Sequence, residues 1–386
     1  MVLVGKRWLA FAVAVCAASA VLTGCGSSAG STGGGASGGA SSADLTKAKQ
    51  EVAALEATTK TYPLPTASVS GLSKFAGRKV YYIPLVQDIP GFVVTATTMK
   101  DALSAAGLGE QVCNGQGQPS ALSSCVQQAV AANAAGIVLD AAPYAMAQNA
   151  LDAAKAKGIP IIIADQYAPA GSSDSDQVTY VPGATDQPTD IAWWVIADSL
   201  GEGKLVIAQE QDSPSAVQYV TNSLAVYKQY CPGCDVKVKN ISASTDTQLA
   251  TDTSSNVLTD PGVNYYYTEF EDSLQPTIQG IQQSGRSSAI SLSVAGGSVN
   301  GLGLLASGSS SVKAVVAVDQ AYAGWALTDE ILRMMTGGAP VAEPFPTRLF
   351  TKDDIASIQV STAAQGTGEW FGDISYQSAF EKLWGV

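Results

Sequence analysis

The strongest constraint on this chain is a repeated alternation of short apolar runs with amphipathic stretches. Val80-Tyr81-Tyr82-Ile83, Gly136-Ile137-Val138-Leu139 and Ile159-Pro160-Ile161-Ile162-Ile163 read as buried strands. Between them, Thr95 to Ala106, Ala121 to Ala134 and Ala145 to Lys157 have helical spacing, and Gly107 and Gly158 close two of these stretches. Val178 to Val181 adds a short strand. A second round follows, with strands at Lys204–Ala208, Val236–Ile241, Val263–Tyr267, Ala289–Val294 and Val312–Val318. Its helices span Thr189–Leu200, Ala216–Gln229, Thr247–Leu258, Leu274–Gln283 and Tyr322–Met335. Strands that are apolar on both faces and alternate with helices imply parallel sheets covered on both sides. The expected fold class is therefore α/β, with two doubly wound parallel-sheet lobes. Ligands of such sheets bind beyond the carboxyl ends of the strands, and the cleft between the two units is the expected site.

Composition removes several functions. The chain of 386 residues has no histidine, so Ser-His-Asp and Cys-His catalysis and His-ligated zinc are excluded. Its formal charge of −12 argues against a nucleic-acid partner, which needs a basic face. No cofactor or metal is expected: Asp174 and Asp176 are too closely spaced for a calcium loop and read as a solvated turn. Gly301-Leu302-Gly303-Leu304-Leu305-Ala306 fits G-x-G-x-x-A, but no ribose-binding acid follows it. Trp193 and Trp194 lie on a helix and read as packing.

The amino terminus reads as an address. Lys6-Arg7 precedes an apolar run from Trp8 to Leu22, which is too short to span a membrane but has the pattern of a secretory signal over residues 1–24. Leu22-Thr23-Gly24-Cys25 resembles the bacterial lipobox, which implies acylation of Cys25 and an extracytoplasmic protein anchored to the cell membrane. Residues 25–43 read as a Gly/Ser tether spanning about 20–25 Å as a random coil. Residues 44–77 read as a lead-in helix and an extended connector, stopped by Pro63 and Pro65. Four cysteines remain in an oxidising compartment, and proximity pairs Cys113 with Cys125 and Cys231 with Cys234. Cys231-Pro232-Gly233-Cys234 reads as a structural staple rather than a redox centre.

Lys79 to Gly337 resembles the type I periplasmic binding proteins, in their ribose-binding-like branch. The residues that carry this are Pro90-Gly91-Phe92 after the first strand, Gly136-Ile137-Val138-Leu139-Asp140, and Ala153 to Asp165, similar to the family's A-x-x-x-GIPVV-x-x-D. The resemblance implies two lobes joined by three crossovers near Pro182–Asp186, Asp319–Tyr322 and Thr347–Thr351. That would give an N-terminal lobe of 78–184 plus 320–348 and a C-terminal lobe of 185–319 plus 349–386. It implies a monomer that closes by its hinge on a small polar ligand, most often a sugar or polyol, and delivers it to an ABC permease. A ligand sensor for a membrane receptor and a binder of a cationic amine are the alternatives. A glycosidase using Glu269 and Asp165 would need no histidine, but the two-lobed pattern accounts for the chain without chemistry.

Carried over position by position, the resemblance implies ligand contacts at Asp88 and Phe92 after the first strand, and at Asp165. Gln166 stands where sugar binders often have arginine. The second-lobe arginine has no match, and Gln218 or Tyr219 lies near its place. Glu269-Phe270-Glu271-Asp272 replaces the family's Asn-Asp, and the aspartate near Gly296-Gly297 is missing. Asp319 and Gln320 fall at the last strand's end, and Phe92, Tyr267, Phe270 and Trp325 offer aromatic faces. A pocket with these acids and no arginine suits a ligand rich in donors, a polyhydroxyl or a cationic amine, and disfavours an anion.

Overall fold

The computed structural model describes residues 39–386 apart from 173, 184, 185 and 342. Cys25, the signal and most of the tether fall outside the described residues. The chain opens with α1 (Ser42–Glu56), whose Ser41 and Asp44 form a capping box. The first sheet is then built from β1 (Lys79–Pro84), α2 (Pro90–Ala105), β2 (Gly109–Val112), α3 (Pro119–Ala131), β3 (Gly136–Asp140), α4 (Gln148–Ala156), β4 (Ile161–Ala164) and β5 (Val178–Val181). The second follows with α5 (Gln187–Asp198), β6 (Lys204–Glu210), α6 (Pro214–Tyr230), β7 (Asp235–Ile241), α7 (Leu249–Thr259), β8 (Tyr265–Thr268), α8 (Leu274–Gln283), β9 (Ser291–Gly296), α9 (Val299–Ser307) and β10 (Val312–Val318). Last come α10 (Gln320–Met335), β11 (Thr347–Phe350), α11 (Lys352–Ile355), α12 (Thr362–Thr367) and α13 (Tyr376–Trp384). In α2, α3, α5 and α6, proline sits at the first or second position, where its missing N–H leaves no bond unmade.

The strands form two sheets, ordered β2-β1-β3-β4-β5 and β11-β10-β9-β8-β6-β7. All pairs are parallel except β10 with β11. Alternate residues of each strand serve opposite faces. Tyr82, Val138 and Ile162 face α2, α10 and α13, while Tyr81, Ile137 and Ile161 face α3 and α4. In the second sheet, Leu205, Ile207 and Tyr265 face α5 and α6, and Val206, Ala208 and Tyr266 face α7, α8 and α9. Trp193 and Trp194 are buried in the first of these layers. The two disulfides join Cys113 to Cys125 and Cys231 to Cys234.

The chain passes between the lobes more often than three crossovers would require. β5 ends the first sheet at Val181 and β6 opens in the second at Lys204, while α10, which follows β10 of the second sheet, packs in the first lobe's core. After α10 ends at Met335 the chain is back in the second sheet by β11 at 347–350, which pairs with β10. The lead-in helix α1 lies on the second lobe, with Ala48 in its core. The connector then crosses: Thr59 bridges Gly372, Tyr62 reaches Asp319, and Leu72 enters the first lobe's core. The carboxyl-terminal segment expected in the second lobe returns to the first. Tyr376, Phe380 and Trp384 recur every four residues on α13, and that stripe is buried against α10 and Trp325.

Crossover segments pack on one another. A Cβ on Gly183 would run into the Phe345 ring, so glycine is what lets the first and third passages touch. Asp319 caps α10, its Oδ1 accepting from the Tyr322 N–H at 3.0 Å and its Oδ2 from the Tyr62 hydroxyl at 2.9 Å.

Candidate functional site

The carboxyl ends of the two sheets face each other, and bonds cross between them. From the first lobe, β4 delivers Asp165, Gln166 and Tyr167. From the second, the start of α6 delivers Ser213, Ser215 and Tyr219. The Tyr167 N–H donates to Ser215 Oγ at 3.1 Å, the Tyr219 hydroxyl donates to the Asp165 carbonyl, and Asn222 Nδ2 donates to the Tyr167 hydroxyl at 3.1 Å. The Tyr167 and Tyr219 rings meet edge to face at 5.3 Å. Asp165 has a φ of 54°, a left-handed conformation that aspartate tolerates better than most residues, and Ala141 at the neighbouring strand end has a φ of 56°. Two adjacent strand ends thus turn sharply at the cleft, as functional strand ends often do.

Below Asp165 lies a second acid, Asp140, 1% exposed at the end of β3. Its Oδ2 accepts from the Tyr82 hydroxyl at 2.6 Å, and its carboxyl hydrogen-bonds that of Asp165. Burial raises the Asp140 pKa, against the lowering effect of those bonds. On the other lobe, Glu269 ends β8 and is 1% exposed. Its Oε2 accepts from the Glu210 N–H at 2.7 Å, while its Oε1 is buried without a partner among the described residues. Burial pushes its pKa up to about 8.

Glu271 takes a different task. Its carboxylate accepts from the Ser298 and Gly301 N–H groups and from the Ser298 hydroxyl, so it fills the amino terminus of α9. That is where an anion would otherwise settle. A Cβ on Gly301 would strike this carboxylate, which gives the G-x-G-x-x-A stretch a packing role. A carboxylate from the β8 end thereby reaches Gly296 and Gly301, the region where the expected aspartate is missing from the sequence.

The other expected contacts are distributed unevenly. Asp165 follows β4 of the first sheet and Glu269 follows β8 of the second, and the charges of both raise the pKa of the Tyr219 hydroxyl, after the larger effect of burial. Phe270 is partly exposed beside Glu269, and Phe92 is buried at the start of α2, next to Gly91, which rests on Gln320. Asp88 is exposed in the loop before α2. Gln218 is exposed and its Nε2 donates to Asn222 Oδ1 at 2.7 Å, while its neighbour Tyr219 bonds the first lobe. Asp319 is fully buried and engaged as the α10 cap described above. Trp325 does not join the cleft set: it stacks on Trp384, 5.5 Å away and nearly parallel, inside the first lobe. The residues that sequence reasoning missed are Asp140 and Tyr167. Asp140 ends a strand run on the same side as Asp165, and of the two residues offered on α6 it is Tyr219 that bonds the first lobe. Asp174, expected in a solvated turn, accepts from the Tyr180 N–H at 2.9 Å.

Two α/β lobes with facing strand ends, joined by crossing segments, define a cleft-type binding protein. The chain belongs to the periplasmic binding protein domain family, whose pattern it matches over residues 80–339. No curated protein matches it. Among solved structures it is similar to a 5-methylthioribose transporter solute-binding protein from Thermotoga lettingae in complex with 5-methylthioribose, at 13% identity and a TM-score of 0.67, covering 80% of this chain and 98% of that one. An ABC transporter solute-binding protein from Agrobacterium vitis with bound allitol is similar at 17% identity and a TM-score of 0.63, covering 73% and 98%. A glucose-galactose binding protein from Geobacillus stearothermophilus is similar at 17% identity and a TM-score of 0.64, covering 72% and 98%. At these identities the likeness establishes the fold, type I of the family.

Proposed function

We propose that this protein is an extracytoplasmic solute-binding protein, anchored through lipid on Cys25, that binds a sugar or polyol and hands it to an ABC permease. The observation that carries this reading is the junction of Asp165–Tyr167 with Ser213–Tyr219, where polar and aromatic groups of both lobes converge at the strand ends. Hydroxyl-rich ligands donate to carboxylates and lay their apolar faces on aromatic rings. The bound 5-methylthioribose and allitol of similar structures belong to that class. Closure about the crossing segments would trap the ligand between lobes. Those segments would divide the chain into a first lobe of 78–181 with α10 and α13, and a second of α5 to β10 with α1 and β11. No helix among the described residues is long and apolar enough to cross a membrane. Attachment through Cys25 would hold the protein at the cell surface.

The test is native mass spectrometry of the segment from residue 39 onward, which keeps the Ser41 cap, before and after unfolding and refolding. A departing mass in the sugar or polyol range, together with thermal stabilisation by the same compound, is expected. No bound mass and no stabilisation by any sugar, polyol or their amino derivatives would overturn the reading. Separately, metabolic labelling with a fatty acid should tag the full chain and fail on Cys25→Ser.

A further inference from the structure

Where a helix of this chain ends in a left-handed residue, that residue is nearly always the one physics favours. Gly107, Gly158, Gly308 and Gly337 close α2, α4, α9 and α10, and Asn133 closes α3, all at positive φ. Among the described residues α5 is the exception, with Leu200 at a φ of 53° followed by Gly201 at 80°. The end is a Schellman turn: the Gly201 N–H donates to the Ile196 carbonyl at 3.0 Å and the Leu200 N–H to the Ala197 carbonyl at 3.4 Å. A leucine resists the left-handed backbone because its Cβ crowds the following carbonyl. Burial does not offset that cost, since Leu200 is 61% exposed. An exposed leucine alone is ordinary, but one that is also strained gains nothing from the fold that holds it.

The chain enters the fold at this turn. A Cβ on Gly201 would run into Ala40, so the segment that leads into α1 packs on the end of α5. Residues 26–39 separate Ala40 from Cys25, and as a Gly/Ser coil they span about 20 Å. A lipid on Cys25 would therefore keep the Leu200 turn close to a bilayer. The loop into β8 lies beside it: the Lys204 N–H donates to Asn264 Oδ1 at 2.9 Å, and the Asn264 N–H to the Lys204 carbonyl at 3.0 Å. That loop begins at the end of α7, where Leu258 is 58% exposed. Both turns precede strands of the second sheet, so they stand at the pole opposite the cleft. The charges here nearly balance: Lys237 is bridged to Asp235 and Asp260, and Glu202 and Lys204 are of opposite sign. We propose that this pole of the second lobe rests on the lipid surface, with Leu200 and Leu258 inserted at the headgroup level. This rests on the lipid-anchored reading above and extends it. Two leucines without a basic patch make a weak contact, and the tether sustains it by holding the pole at high local concentration. Weakness suits the task, because the contact has to release when the cleft, at the far end, meets a permease.

The test uses the full lipid-modified chain on phosphatidylcholine vesicles, with an environment-sensitive fluorophore attached through Leu200→Cys. Cys113, Cys125, Cys231 and Cys234 are paired, so the label goes to the new thiol. Val93→Cys is the reference, 45% exposed at the start of α2 on the cleft side. The expected result is a shift to shorter wavelength at position 200, and loss of its emission to nitroxide-labelled lipid, with neither at position 93. Leu200→Gly relieves the strained turn, so in the unanchored Cys25→Ser chain it should raise the melting temperature. On the anchored chain it should weaken the nitroxide quenching of a fluorophore at Leu258→Cys. Like behaviour at positions 200 and 93 on chains that stay with the vesicles would overturn this proposal and leave the anchored reading standing. A shift at position 200 in the Cys25→Ser chain without vesicles would give the face to a second copy and overturn it as well. So would a melting temperature that Leu200→Gly lowers or leaves unchanged. Chains that fail to float with the vesicles would overturn both readings together.

Discussion

Asp319→Asn isolates one buried carboxyl at the meeting point of the lobes. Asp319 is fully buried, and burial pushes its pKa from 3.8 up to about 7. Between those values the native chain holds a proton that the unfolded chain has released. Stability therefore falls as pH rises through this window, is fully present below the unfolded value and is lost above about 7. A gap of roughly three pH units at ~1.4 kcal/mol each makes the loss up to about 4 kcal/mol. Asparagine removes the titration and keeps the geometry: its Oδ1 can still accept from Tyr322, and its amide can donate to Tyr62. Urea melts from about pH 4.5 to 8 should then show the variant gaining on the wild type as pH rises, by up to ~4 kcal/mol. Because Glu343, Glu330 and Glu269 are also raised by burial, to about 10, 7 and 8, both proteins should lose stability with rising pH. Only their difference reports Asp319. Parallel curves for the two proteins would refute the argument.

Other substitutions test the packing. Trp384→Ala removes the stack on Trp325 and the 2.7 Å donation from Nε1 to Asp329, so chemical denaturation should show a loss of about 3–5 kcal/mol. Gly183→Ala forces Cβ into Phe345 between two crossing segments and should cost about 1–3 kcal/mol, visible as a lowered melting temperature. Cys113→Ser with Cys125→Ser opens a short loop, and the melt should drop by about 2–3 kcal/mol against the wild type under non-reducing conditions, where Cys231–Cys234 stays closed in both proteins.

Much of the fold was legible because buried parallel strands leave unbroken apolar runs. Val80–Ile83, Gly136–Leu139 and Ile161–Ile163 were found for that reason, and Gly107 and Gly158 marked helix ends. β2 was not, since Gly109-Glu110-Gln111-Val112 lies at a sheet edge, half exposed, and carries no apolar pattern. β11 was missed because a four-residue strand leaves too short a signal, and its antiparallel pairing is set by the partner β10. In the site, Asp165 and Glu269 stood out as acids at strand ends. Gln218 and Tyr219 could not be separated, because spacing in the sequence does not fix helical phase closely enough to tell neighbours apart. Asp319 and Trp325 have suitable chemistry, but one caps a helix and the other fills a core.

The sequence alone determined the alternation of strand and helix, the parallel sheets, the two disulfides by proximity, and an acidic set of strand ends without arginine. These follow from local pattern and composition. Tertiary structure decided which lobe each terminal helix joins, how often the chain crosses between lobes, and which acids are buried. Those outcomes depend on contacts between residues far apart in the chain, Tyr62 with Asp319 and Trp384 with Trp325 among them. No local periodicity records such contacts, because each partner's pattern fits burial against any apolar surface of the right shape.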